Sequence, residues 1–263
     1  MSQSYTIVDA FTPEPFAGNP AAVLVLPAPR EAAWMQLVAR EFNLSETAFL
    51  VRRADGFDLR WFTPEVEVEL CGHATLASAH TLRELGLLPS GEAARFHTQS
   101  GVLLARQEGD WIELDFPAHL QQPCEPPAGL VEALGVTPRY VGRWGDDWLV
   151  ELGSEPEVRE ARPDHTRLAA VGVRGAMITA AASTAGLDFV SRFFVPGAGI
   201  AEDPVTGSAH CCLTPYWAGR LGRAGMTAFQ ASARGGVLRV RLEGERVRIG
   251  GRAVTVARGE LLV

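Results

Sequence analysis

Apolar positions in this chain fall mostly in short alternating or β-branched runs, the period-two signature of half-buried strands. Tyr5–Asp9, Ala22–Leu26, Glu46–Arg52, Phe57–Phe62 and Val102–Gln107 read as strands in the first half. Asp147–Leu152, Ala176–Ala181, Asp188–Phe194, Val237–Leu242 and Arg246–Ile249 follow in the second. Two segments depart from this rhythm: Ala74 to Leu85, closed by Gly86, and Ser208 to Leu221, closed by Gly222. Both carry Ala, Leu, Cys, Trp and Thr on most faces and end at a glycine, which predicts helices sheathed by sheet and terminated by a left-handed cap.

The elements recur. Residues 101–114 (GVLLARQEGDWIEL) lie over residues 236–249 (GVLRVRLEGERVRI) at an offset of 135, with Gly101/Gly236, Val102/Val237, Leu103/Leu238, Arg106/Arg241, Glu108/Glu243 and Gly109/Gly244 identical. At the same offset Cys71-Gly72-His73-Ala74 falls on Thr206-Gly207-Ser208-Ala209, and Phe62-Thr63-Pro64 matches Phe194-Val195-Pro196 if the second copy holds three extra residues. A repeat of this length sets the architecture. It predicts an α+β fold of two pseudo-symmetric halves, each a curled, mostly antiparallel sheet wrapped around a central helix. Four prolines in the eleven residues from Pro117 to Pro127 break strands and helices alike. The expected division is therefore residues 1–117, a Pro-rich linker at 118–127, and residues 128–263, the last strand being a candidate to return to the first half.

Composition narrows the function. The 263 residues, 47% of them hydrophobic, are enough for a large core without staples. With 31 acidic against 24 basic residues and a net charge of −7, the chain lacks the basic footprint of a nucleic-acid binder. All 24 basic residues are arginine, and no position is lysine. A pyridoxal-phosphate Schiff base, a class I aldolase, a Walker A loop, a kinase strand lysine and a Ser-Lys hydrolase are thereby excluded, since each needs an ammonium group. Four cysteines without a C-x-x-C pair suggest a reducing, cytoplasmic setting. No basic flank with an apolar core stands at the N-terminus, and the longest stretch free of Asp, Glu and Arg, Pro204 to Gly219, contains two prolines and a histidine, so neither an export signal nor a membrane span is expected.

The two glycine-bearing helix starts are the first chemical clue. Each offers unpaired N–H groups and the positive end of a helix dipole beside a residue without a Cβ. Facing each other across a pseudo-two-fold, they would form a double cradle for a carboxylate, although Gly-containing caps also occur with no ligand. His210-Cys211-Cys212 invites a metal reading, but adjacent helical residues point about 100° apart and cannot close a tetrahedral site. Gly197-Ala198-Gly199 follows a strand but runs into acidic residues, so it is not a dinucleotide loop.

Five ordered runs resemble the PhzF family of phenazine biosynthesis-like proteins. They are Val8-Asp9-Ala10-Phe11 leading into Gly18-Asn19-Pro20-Ala21-Ala22-Val23; Asn43 through Phe49; Arg60-Trp61-Phe62-Thr63-Pro64 through Leu70-Cys71-Gly72-His73-Ala74-Thr75; Gly199 through His210; and Gln230 through Gly236. The resemblance implies the diaminopimelate-epimerase-like fold and a homodimer. It also implies cofactor-free, metal-free isomerisation by proton movement on a small carboxylic acid, cyclic acids included. It assigns the acid/base to Glu46, polar substrate contacts to His73, Asp203 and Ser208, and backbone donors to Gly72 and Gly207. Glu46 stands among Leu44, Ala48, Phe49 and Leu50, apolar neighbours of the kind that raise a carboxyl pKa toward neutrality. The related epimerases use two thiols; this chain has Cys71 at the first place and Thr206 at the second, and a threonine hydroxyl cannot stand in for a thiolate. Cys71 is then either a small residue packed beside the cradle or a remnant nucleophile. Two other readings stay open: an epimerase or racemase of an amino or hydroxy acid working with one base, and a non-catalytic protein that binds a small acid.

Overall fold

A computed structural model describes residues 2–89 and 91–262. Contacts divide the chain into two units, residues 1–115 with 250–263, and residues 116–249.

In the first unit, β1 (Gln3–Ala10) and β2 (Asn19–Leu26) pair antiparallel. Helix α1 (Ala32–Phe42) then carries the chain to β3 (Glu46–Arg53), which runs parallel to β2. The sequence reading missed α1, whose polar residues are interspersed with one apolar stripe. Met35, Val38 and Ala39 of that stripe pack with Leu24, Leu26, Phe49 and Phe62, and Asn43 in the left-handed region ends the helix. β4 (Gly56–Phe62) pairs antiparallel with β3 and with the two-residue β5 (Glu67–Val68). Helix α2 (Gly72–Glu84) precedes β6 (Ala94–Thr98), which is parallel to β4. β7 (Gly101–Glu108) pairs antiparallel with β6 and with β8 (Trp111–Pro117).

Helix α2 is buried on nearly every face, from His73 through Ala79 and again at Thr81 and Leu82. Two of its hydroxyls need no outside partner. Thr75 Oγ1 donates to the Cys71 carbonyl and Ser78 Oγ to the Ala74 carbonyl, one turn back in each case. Small side chains, two of them satisfied within the helix itself, let strands close around it.

The second unit repeats this order. It comprises β9 (Gln122–Pro123), α3 (Leu130–Leu134), β10 (Tyr140–Trp144), β11 (Asp147–Glu151), α4 (Glu155–Glu160), α5 (His165–Val171), β12 (Gly175–Ala181), β13 (Phe189–Val195), β14 (Ile200–Asp203), α6 (Gly207–Leu221), β15 (Gly225–Gln230), β16 (Gly236–Glu243) and β17 (Arg246–Gly251). β10 and β11 are antiparallel, β11 and β12 parallel, β12 and β13 antiparallel, β13 and β15 parallel, and β15 and β16 antiparallel. These are the relations of β1 through β7. The final strand β18 (Ala253–Leu261) pairs antiparallel with β1 and belongs to the first unit. β9 takes the corresponding place on β10.

The Pro-rich stretch at 118–127 is therefore built into the second unit. Besides supplying β9, it repairs a defect in α6. Pro215 lies inside that helix and has no N–H to offer the Cys211 carbonyl. The His119 N–H bonds to that carbonyl instead, at 2.9 Å. Among the described residues, no helix is long and apolar enough to cross a membrane.

Candidate active site

Three residues expected to matter meet in the first unit. Glu46 is the first residue of β3, opposite Ala21 of β2. Cys71 is the N-cap of α2, and His73 is the second residue of that helix. His73 Nε2 lies 3.1 Å from Glu46 Oε2, their side chains only 5% and 15% exposed. The separation is that of an ion pair, off the line of a straight hydrogen bond. The other ring nitrogen, Nδ1, is 3.5 Å from Cys71 Sγ and 3.2 Å from Nδ2 of Asn19, a fully buried residue that opens β2.

The electrostatics follow from this enclosure. Burial pushes the Cys71 thiol up, and the Glu46 carboxylate pushes it further, so the sulfur stays protonated at neutral pH. Burial opposes charge on the His73 ring, whereas Glu46, and Cys71 only if it were a thiolate, act the other way and raise the ring's pKa. Glu46, Cys71 and His73 offer ligand atoms within 4.8 Å of one another. The two ring nitrogens face different partners, Nδ1 the thiol and Nε2 the carboxylate.

Both helix starts are open. Neither Cys71 nor Thr206 caps its helix with its side chain, so the first N–H groups of α2 and α6 keep no intrahelical acceptor. Threonine is a favoured cap, and its hydroxyl is diverted here. Thr206 Oγ1 donates to Asp203 Oδ2 at 2.5 Å, and the fully buried Gln230 donates through Nε2 to the Asp203 carbonyl at 2.7 Å and to Thr206 Oγ1 at 3.1 Å. Gln230 Oε1 accepts the Thr206 N–H at 2.9 Å. In the second unit Asp203 is thus fixed beside the start of α6, next to Gly207 and the half-buried Ser208.

His210-Cys211-Cys212 lies buried inside this unit on α6. His210 Nδ1 bonds to the Thr206 carbonyl at 2.7 Å, and burial lowers its pKa to about 4. Burial pushes both thiols up to about 12.

In the second repeat the place that Glu46 holds at the start of its strand falls to a glycine. Glu46 opens β3 opposite Ala21, and Gly175 opens β12 opposite Asp147 in the equivalent parallel pair. A Cβ at Gly175 would stand 2.6 Å from the Phe193 ring and 3.0 Å from Asp147 Oδ1, leaving no room for a carboxylate side chain. Ser208 replaces His73, and Thr206 replaces Cys71. Sequence reasoning passed over Asn19 and Gln230. The usable signal was an amide at the edge of an apolar strand, where burial demands a partner.

The phenazine biosynthesis-like (PhzC-PhzF) family model matches residues 8–259. An uncharacterized isomerase of Halalkalibacterium halodurans is 50% identical over 266 residues, covering all of both chains. One of Pseudomonas aeruginosa is 51% identical over 261 residues, 99% of each chain. The crystal structure of a PhzF-family protein from Enterococcus faecalis superposes with a TM-score of 0.95 at 43% identity, again over the full length of both chains. With a continuous family match, full-length relatives named isomerases and the same fold, the chain belongs to the phenazine biosynthesis-like protein family and is an enzyme of the isomerase class.

Proposed function

We propose that this enzyme is a cofactor-independent isomerase that moves a proton on a small carboxylic acid, cyclic acids included, with Glu46 as its single acid/base. The observation that carries the reading is the Glu46 carboxylate 3.1 Å from the Nε2 of buried His73 at the open start of α2. The proposed substrate contacts are the Gly72 N–H and His73 in the first unit, and the Gly207 N–H, Asp203 and Ser208 in the second. Glu46 takes a proton from a carbon that the bound acid activates, the C–H electron pair moves into the substrate's π system, and the same carboxyl returns the proton to a different carbon. Substrate and product are isomers, so no external oxidant or reductant is needed.

Two features favour this over two-base epimerisation. Thr206 cannot act as the opposing thiol, and Cys71 is held protonated by burial and by Glu46. We place the enzyme in the cytosol as a homodimer, with a small acid and neither nucleic acid nor membrane as its partner. Incubation in deuterated water with a panel of carboxylic acids tests the reading. We expect deuterium incorporation and a shifted double bond without inversion of a stereocentre. Inversion would make the enzyme an epimerase, and binding without exchange in any acid would leave only a binding protein.

A further inference from the structure

We propose that Asn19 is a positioning residue that keeps the ring proton of His73 on Nε2, the edge facing Glu46. Among the described residues, three polar side chains meet the ring nitrogens: Glu46 from β3, Cys71 from the N-cap of α2, and Asn19 from β2. An amide nitrogen carries only donors, so Asn19 Nδ2 at 3.2 Å from Nδ1 requires Nδ1 to accept. The Cys71 thiol 3.5 Å away also meets Nδ1, and while protonated it too is a donor. Nδ1 is thus met by two donors, and a neutral ring with a bare Nδ1 has its one proton on Nε2, 3.1 Å from the Glu46 carboxylate.

The backbone holds Asn19 in this place. It pairs with Ala10 in the β1–β2 register. The preceding Gly18 has φ of 63°, and a Cβ there would collide with the Ala10 carbonyl, so the turn into Asn19 admits no other residue without rearrangement. Asn19 is therefore delivered to the ring by a turn that depends on glycine at position 18.

This arrangement resolves a conflict in the electrostatics of the ring. Part of the upward pull on His73 needs a Cys71 thiolate, whereas the same enclosure favours the thiol. With the sulfur protonated, the remaining pull comes from Glu46, and the Asn19 amide opposes a second proton at the other edge. His73 then keeps its Nε2 proton on the edge beside Glu46 without charge of its own, so Glu46 remains the only group that carries the transferred proton. This last consequence rests on the acid/base reading of Glu46; the position of the ring proton does not.

The ring nitrogens can be read directly in the intact, uniformly ¹⁵N-labelled protein by long-range ¹H–¹⁵N correlation at neutral pH. The chain has six histidines, and His73→Gln identifies the signal by its disappearance. We expect Nδ1 of His73 to resonate as an unprotonated acceptor and Nε2 as a protonated nitrogen. Asn19→Asp, which sets a carboxylate at Nδ1, should move Nδ1 to the protonated position and give an imidazolium. A wild-type signal with Nδ1 protonated, alone or together with Nε2, overturns the proposal, as does an Asn19→Asp spectrum identical to wild type. If that variant does not fold, the wild-type pattern alone decides. No substrate is involved, so absence of solvent exchange in every acid would sink the isomerase reading while leaving this one standing.

Discussion

Glu155 anchors the start of α4 to the turn after β12, and its removal should destabilise the second unit in a pH-dependent way. The side chain is 3% exposed. Oε1 accepts from Arg159 at 2.7 Å and from the Thr184 hydroxyl at 2.8 Å, and Oε2 accepts from the Ser183 and Thr184 N–H groups at 2.7 and 2.8 Å. Burial alone would raise its pKa, but the bonds from Thr184, Arg159 and Ser183 outweigh it and bring the value from 4.5 to about 2. That difference, at about 1.4 kcal/mol per pH unit, corresponds to roughly 3 kcal/mol of stability. A glutamine at this place keeps one carbonyl acceptor, which reduces the expected effect of the substitution to about 2 kcal/mol. A depressed carboxyl pKa stabilises fully above the unfolded value of 4.5, and the contribution disappears as pH falls toward 2. Glu155→Gln should therefore melt about 5 °C below wild type at pH 7, and the gap should narrow markedly by pH 3. Paired thermal melts followed by circular dichroism provide the assay. A gap that stays the same from pH 7 to pH 3, or a difference under about 0.5 kcal/mol at pH 7, would refute the reasoning.

Gly72 and Gly207 each begin a helix, where alanine is the better helix former by up to about 1 kcal/mol. Gly→Ala at either site should therefore weaken binding of a ligand acid, read by titration calorimetry, far more than it lowers the melting temperature; unchanged affinity in both variants would move the anion elsewhere. Among the four cysteines only Cys124 is exposed, so a small alkylating reagent should modify one thiol in the native protein and four after denaturation. Cys71→Ser should keep a substantial fraction of the turnover, and a loss as complete as that of Glu46→Gln in a folded variant would return the thiol to the mechanism.

The repeat was the most legible feature of the chain. β7 and β16, eight residues each, fall on the two copies found by offset, and α2 and α6 open at Gly72 and Gly207 of the repeated tetrapeptides. Strands with strict alternation, such as Gly56–Phe62, were recovered to within a residue. What escaped depended on tertiary partners. The short helices α3, α4 and α5 have five to seven residues each and carry too few turns to show a period. The stretch 118–127 has the composition of a linker, yet it is fixed by an edge pairing and by the carbonyl that Pro215 leaves vacant. Within the site, Glu46, Cys71 and His73 came from motif resemblance, and their mutual contact needed the fold. Asn19 and Gln230 stand in the matching runs, but their contacts could not be read there: an amide's partner across a strand is set by register, and register is non-local.

The central claim is that one carboxyl group, Glu46, carries the proton, and Glu46→Gln tests it most directly. The amide keeps the shape and a contact with His73 but cannot accept and return a proton. Once an acid that exchanges hydrogen with solvent has been found, the rate of deuterium incorporation should be measured for both proteins, alongside the affinity for that acid. We expect the variant to fold and bind nearly as wild type while exchange falls by a factor on the order of 10²–10⁴. Exchange retained at more than about half the wild-type rate would contradict the account and remove Glu46 from the proton's path.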